Sequence, residues 1–95
     1  MKLSAKAQLF VRRAVAETAS PPLRRAVHRL GSDPWSAELS PEAERLATDA
    51  LDEQRRQIQA RLATPLTDDE VADLSNDLAF IEAICSDLAH SVKSS

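Results

Sequence analysis

A chain of 95 residues with 43% apolar content and a net charge of −3 is long enough for one domain with a modest core and too short for two. One glycine and one cysteine argue against a phosphate-cradling loop and against an internal disulfide. No stretch approaches the roughly 20 apolar residues of a membrane span, and the first residues lack the apolar run of a signal peptide, so a reducing, cytoplasmic setting without membrane contact is expected.

The charge is polarised. Residues 1–31 hold seven basic side chains against the single acid Glu17, whereas residues 32–95 hold five against fourteen acids. Such a split bears on partners and orientation rather than on fold. The fold class follows from composition: Ala, Leu, Glu, Arg and Gln favour helices, and strand-forming aromatics are limited to Phe10, Trp35 and Phe80. An all-α small helical bundle is predicted.

The first helix is predicted from Ser4 to Thr18, with Leu3, Ala7, Phe10, Val11, Ala14 and Val15 on one stripe and Lys6, Arg13 and Glu17 opposite. Ser20 followed by Pro21 reads as an N-cap and first-turn proline. The second helix then runs from Pro21 to Leu30 and stops at Gly31, in the place of a left-handed C-cap. Residues 32–39 form a connector in which Asp33, Pro34 and Trp35 can begin one turn. Ser40 and Pro41 repeat the cap signature and start a third helix reaching about Ala63, with Ala43, Leu46, Ala47, Ala50, Leu51, Ile58 and Leu62 inward.

The fourth helix has the best-marked start. Thr67 and Glu70 make a capping box, Leu66 and Val71 a hydrophobic staple, and Asp68 and Asp69 load the first turn with negative charge. From there Val71, Leu74, Leu78, Ile81, Cys85, Leu88 and Val92 alternate three and four apart, a coiled-coil-like seam. Pro65 in the short connection predicts that helices 3 and 4 fold back as an antiparallel hairpin turning at Thr64 to Leu66. The expected whole is one domain: basic helices over residues 4–30, an acidic hairpin over 40–92, and an apolar groove of the hairpin covered by the short basic pair.

The sequence offers little for catalysis. His28 and His90 are the only histidines, on different helices and without an identifiable nucleophile or acid partner, so no enzymatic role, cofactor or metal is expected. The Asp68, Asp69, Glu70 and Asp73 cluster lacks the glycine and spacing of a calcium loop and serves the helix dipole.

Two binding readings remain. In the first, the acidic hairpin recognises a protein, as a small regulator, inhibitor or adaptor would, with Asp69, Asp73, Asp77, Phe80, Ile84 and Trp35 as the contact residues. Phe80 and Ile84 lie off the heptad seam and widen the apolar face of helix 4, which also predicts a homodimer or a protein-covered face. Trp35 has two roles open to it, a plug at one end of the bundle or an exposed anchor. In the alternative, Arg12, Arg13, Arg24, Arg25, His28 and Arg29 supply phosphate contacts to DNA or RNA. An overall pI of 5.3 and the scarcity of stacking aromatics place that reading second.

Overall fold

The computed structural model describes residues 1–94, with side chains through Ser91. Val92, the last seam position, therefore lies outside the described side chains. Among the described residues the chain forms four helices and no strand: α1 (Ala5–Ala16), α2 (Pro21–Leu30), α3 (Pro41–Leu62) and α4 (Asp68–Ser94).

The helix starts follow from local chemistry. Ser4, Ser20 and Ser40 each accept a hydrogen bond from the backbone N–H three residues on, at 3.1–3.3 Å, and so satisfy one donor that the first turn leaves open. At α4 the capping box is complete. Glu70 N–H donates to the Thr67 hydroxyl at 3.2 Å, and the Glu70 carboxylate takes the Thr67 N–H at 3.3 Å and the hydroxyl at 3.0 Å. Gly31 ends α2 with φ 121° and ψ −175°. This lies outside the left-handed helical well expected of a C-cap, in a region that essentially only glycine enters.

α3 is the central element, and α1, α2 and α4 all pack on it. α3 and α4 form the antiparallel hairpin, joined by residues 63–67. α1 packs on α3, with Ala7, Val11 and Ala14 of α1 and Ala43, Ala47 and Ala50 of α3 all buried. Small side chains on both faces let the two helices approach closely and keep the core dense. α2 buries Leu23 and Val27 and packs on α3. The expectation that both short helices cover the hairpin groove is thus corrected: α1 lies there, and α2 sits on the side of α3. The reason is the sharp turn at residues 17–20, which sends the chain off the groove.

That turn also shortens the first helix relative to its predicted end at Thr18. Glu17 leaves helical geometry at φ −95°, ψ 0°. Thr18 is 2% exposed and donates its hydroxyl to Glu53 of α3 at 2.6 Å. A tertiary hydrogen bond outcompetes the last helical turn.

The connector between α2 and α3 closes the end of the bundle where Met1 lies. Leu39 N–H donates to the Met1 carbonyl at 2.8 Å, and Leu39, Trp35 and Leu3 are all buried. The Met1 ammonium meets Glu38 at 2.6 Å and Glu44 at 3.3 Å. Glu44 is itself buried and also accepts from the Ser91 hydroxyl at 3.2 Å.

The opposite end is less well covered. The radius of gyration is 13.7 Å and the extents are 39 × 28 × 21 Å, whereas a compact chain of this length has a radius near 12.4 Å (about 2.2 × N^0.38). At 1.5 Å per residue the 27 residues of α4 span about 40 Å and set the long axis. α1, with 12 residues, covers less than half of that.

Candidate docking surfaces on the hairpin and on α2

Asp69, Asp73, Asp77, Phe80 and Ile84 follow one another three or four apart and so climb one flank of α4. The structure turns that flank toward α1 and grades it from closed to open. Ile84 is 4% exposed, a core residue. Phe80 is half-buried, its ring stacked on Phe10 with centroids 4.7 Å apart and the Lys6 ammonium 4.6 Å from its own centroid. Asp77 accepts from Arg13 at 3.4 Å, and the Arg13 guanidinium also lies over the Phe10 ring. Asp73 and Asp69 come next, exposed, past the end of α1.

Two of the predicted contact residues are corrected by this placement. Ile84 is used inside the chain, because α4 meets both α3 and α1 and needs a wider apolar face than one heptad seam provides. Trp35 is 3% exposed and fills the role of a plug, which withdraws its indole from any partner. Phe80 keeps part of its surface. The apolar surplus that suggested a second chain on α4 is consumed largely within the monomer.

Beyond the end of α1 the hairpin continues without a third helix. Leu62, Leu66 and Leu74 are half-buried there and Val71 is 40% exposed. The staple and seam positions that sequence periodicity buries are left open because no element lies over them. Asp68, Asp69 and Asp73 border this strip and pair with no basic group among the described residues. At its inner limit Arg13 of α1, Glu17 just past its end, Gln54, Gln57, Ile58 and Arg61 of α3, and Leu74 and Asp77 of α4 line a recess of about 220 Å³. Glu17 accepts there from the Gln54 amide at 2.9 Å.

The basic candidates divide in two. Arg12 holds Asp33 through two nitrogens, at 2.9 and 3.2 Å, and its guanidinium keeps the Asp33 carboxyl below the ordinary range. Arg13 is taken by Asp77, and Arg24 donates to the Thr18 carbonyl at 2.5 Å. Arg25, His28 and Arg29 remain on the outward face of α2, exposed. Together with Arg24 they form a short basic stripe that includes no acid. Sequence periodicity located the stripe but not the internal use of Arg12 and Arg13, which depends on where α1 lands.

Two features were not read from the sequence. Leu9 is 63% exposed at the middle of the outward face of α1, and its signal is its place among Lys6, Arg12 and Arg13 rather than on the buried stripe. Glu53 clamps the α1–α2 turn, taking the Thr18 hydroxyl and, at 2.8 Å, the Ala19 N–H. These hydrogen bonds hold its carboxyl below the usual carboxylate range, the backbone one contributing most. A recess of about 480 Å³ opens beside this clamp between the first turn of α2 and α3. Its acids are largely engaged, Glu53 by the turn and Asp52 by Arg55 and Arg56.

Among the described residues no three His, Cys, Asp or Glu side chains gather to hold a metal ion, and no helix is long and apolar enough to cross a membrane. Cys85 is half-buried and burial pushes its thiol up, away from a reactive thiolate. No protein family, curated protein or solved structure matches the chain.

Proposed function

We propose that this protein is a small non-catalytic binding module, acting inside the cell as a regulator, inhibitor or adaptor, and that the open outer end of its acidic hairpin takes a basic protein partner. The observation that supports this reading is the overreach of the hairpin. α3 and α4 run on past α1, leaving Leu62, Leu66, Val71 and Leu74 incompletely covered and bordered by Asp68, Asp69 and Asp73. An apolar strip with a rim of one charge sign has the anatomy of a protein interface, and the rim steers a basic partner toward it.

A nucleic-acid reading rests on Arg24, Arg25, His28 and Arg29. It is the weaker one, because Arg12 and Arg13 are spent inside the chain. The remaining stripe offers four side chains on a single short helix, and so few phosphate contacts release few counterions and supply little affinity.

A photo-crosslinking side chain at Val71, compared with one at Ala83 on the exposed outer face of α4, tests the choice in the source cell. Capture of a discrete basic protein from position 71, absent at position 83 and lost in the Asp69→Asn/Asp73→Asn variant, is expected. No position-dependent capture, together with salt-steep duplex binding that Arg25→Ala/Arg29→Ala removes, assigns the function to α2 instead.

A further inference from the structure

We infer that the protein pairs with a second copy of itself through the side of the hairpin turned away from α1, α4 of each copy lying on α3 of the other about a two-fold axis along the groove between them. This pairing goes beyond the binding reading above and uses neither Phe80 nor Ile84.

α1 reaches α4 at Phe80 and Asp77. At about 100° per residue, Leu78 and Cys85 stand roughly 140–160° round α4 from Phe80, on the other side of the hairpin. Both are half-buried, and Ser75, Glu82 and Ala89 beside them are exposed, so no third helix closes this side. The α3 border of the same groove carries Arg55 and Asp52, whose charges, with that of Glu82, act on the Cys85 thiol. Arg55 gives one nitrogen to Asp52, its Nε is buried with no acceptor, and its side chain is 37% exposed. The guanidinium therefore keeps unused donors. Glu82 pairs with no cation among the described residues.

These charges complement themselves. A two-fold axis along the groove carries the α3 border of one copy onto the α4 border of the other at the same level, so Arg55 of each copy meets Glu82 of the second. The contact is isologous and forms twice per dimer. The same operation lays Leu78 and Cys85 on the α3 helix of the other copy, and the four hairpin helices become mutually antiparallel neighbours, as in a four-helix bundle. A basic partner suits this side less well, because Arg55 stands in it. With α3 22 residues long and paired helices 8–10 Å apart, the side offers about 600 Å² per copy, or about 1,200 Å² in all, the lower edge of specific interfaces. The dimer is accordingly weak. Val71 lies about 20 Å along α4 from Cys85, beyond the centre of the contact and towards the open end.

Sedimentation equilibrium of the full chain from about 10 to 200 µM should show a monomer–dimer equilibrium. Glu82 is exposed and unpaired, so Glu82→Arg should keep the fold, as circular dichroism checks, and weaken the dimer about tenfold through two lost pairs and two repulsions. Arg55→Glu should act likewise. An equimolar mixture of the two variants should recover the parent's association, because each contact of the mixed dimer again joins opposite charges, a repair that an effect within one chain does not allow. Arg55→Ala, which adds no charge beside Asp52, replaces Arg55→Glu in the single-variant comparison should the latter not fold, with a smaller loss expected. A chain that stays monomeric throughout overturns the proposal and leaves the crosslink at Val71 to decide the binding reading. A dimer that Glu82→Arg leaves intact, or a mixture of folded variants that stays monomeric, overturns it as well.

Discussion

The rings of Phe10 and Phe80 stack 4.7 Å apart at an interplanar angle of 21°, and this pair joins the basic N-terminal half of the chain to the acidic hairpin. Cations sit on the outer faces of the stack, Lys6 over Phe80 and Arg13 over Phe10. Arg13 continues to Asp77. The contact thus combines aromatic burial, two cation–π contacts and an ion pair within about two turns of α1 and one of α4.

Replacement of Phe80 by Ala should therefore act on folding. The ring is half-buried, so the loss should fall below that of a core aromatic, at about 2 kcal/mol. Urea unfolding followed by circular dichroism reads it. An unchanged midpoint would place the ring on a free surface and restore it to the list of partner contacts.

Glu53 should set part of the acid limit of stability. Its carboxyl lies below the ordinary value of 4.5 because the charged form accepts from Ala19 N–H and the Thr18 hydroxyl. A group with a depressed folded value contributes stability that is present above the unfolded value and lost as pH falls through the folded one. Melting temperature should decline below about pH 4.5, and Glu53→Gln should flatten that decline. At neutral pH the same variant should lose about 1 kcal/mol, the cost of a weakened hydrogen bond to buried Thr18. Parallel acid limbs in the two proteins would remove Glu53 from the clamp.

The local signals proved legible, and the tertiary ones less so. The bounds of α2, the serine caps and the Thr67–Glu70 box depend on residues within four positions of each other, and the structure reproduces them. Ile84 was displaced from the seam because a heptad assumes one facing helix, whereas α4 meets two. Val71 failed in the other direction, since periodicity identifies an apolar face but not whether anything covers it. The candidate surface was legible at Asp69 and Asp73, which are exposed because nothing reaches them. Asp77, Arg12 and Arg13 were read as available, and their pairing depends on the antiparallel lie of α1 on α4, which no local pattern encodes.

Ile81 and Leu78 should separate the closed part of the hairpin from the open one. Both occupy the same seam, yet Ile81 is fully buried at 0% while Leu78, one turn nearer the open end, is half-buried. Ile81→Ala should cost about 3–4 kcal/mol and Leu78→Ala about 1–2 kcal/mol, since the cavity term shrinks where solvent fills the space. Equal losses by chemical denaturation would mean that the outer hairpin is as tightly covered as the inner.

The alkaline limit should depend on the contact that ties Met1 to the connector. The α-ammonium is raised above its ordinary value of 8.0, chiefly by its hydrogen bond to Glu38 and further by Glu44, against an opposing effect of desolvation. A group raised on folding contributes stability that is complete below its unfolded value and disappears as pH climbs through its folded one. The melting temperature of the chain should hold up to about pH 8 and fall above it. Lysines elsewhere also titrate at high pH, so the informative quantity is the difference between the parent and Glu38→Gln. Glu38 is exposed and makes no other hydrogen bond or ion pair among the described residues, so the variant should fold normally and show a shallower decline above pH 8. Coincident curves for the two proteins would show that the ammonium is held by Glu44 alone or is free in solution.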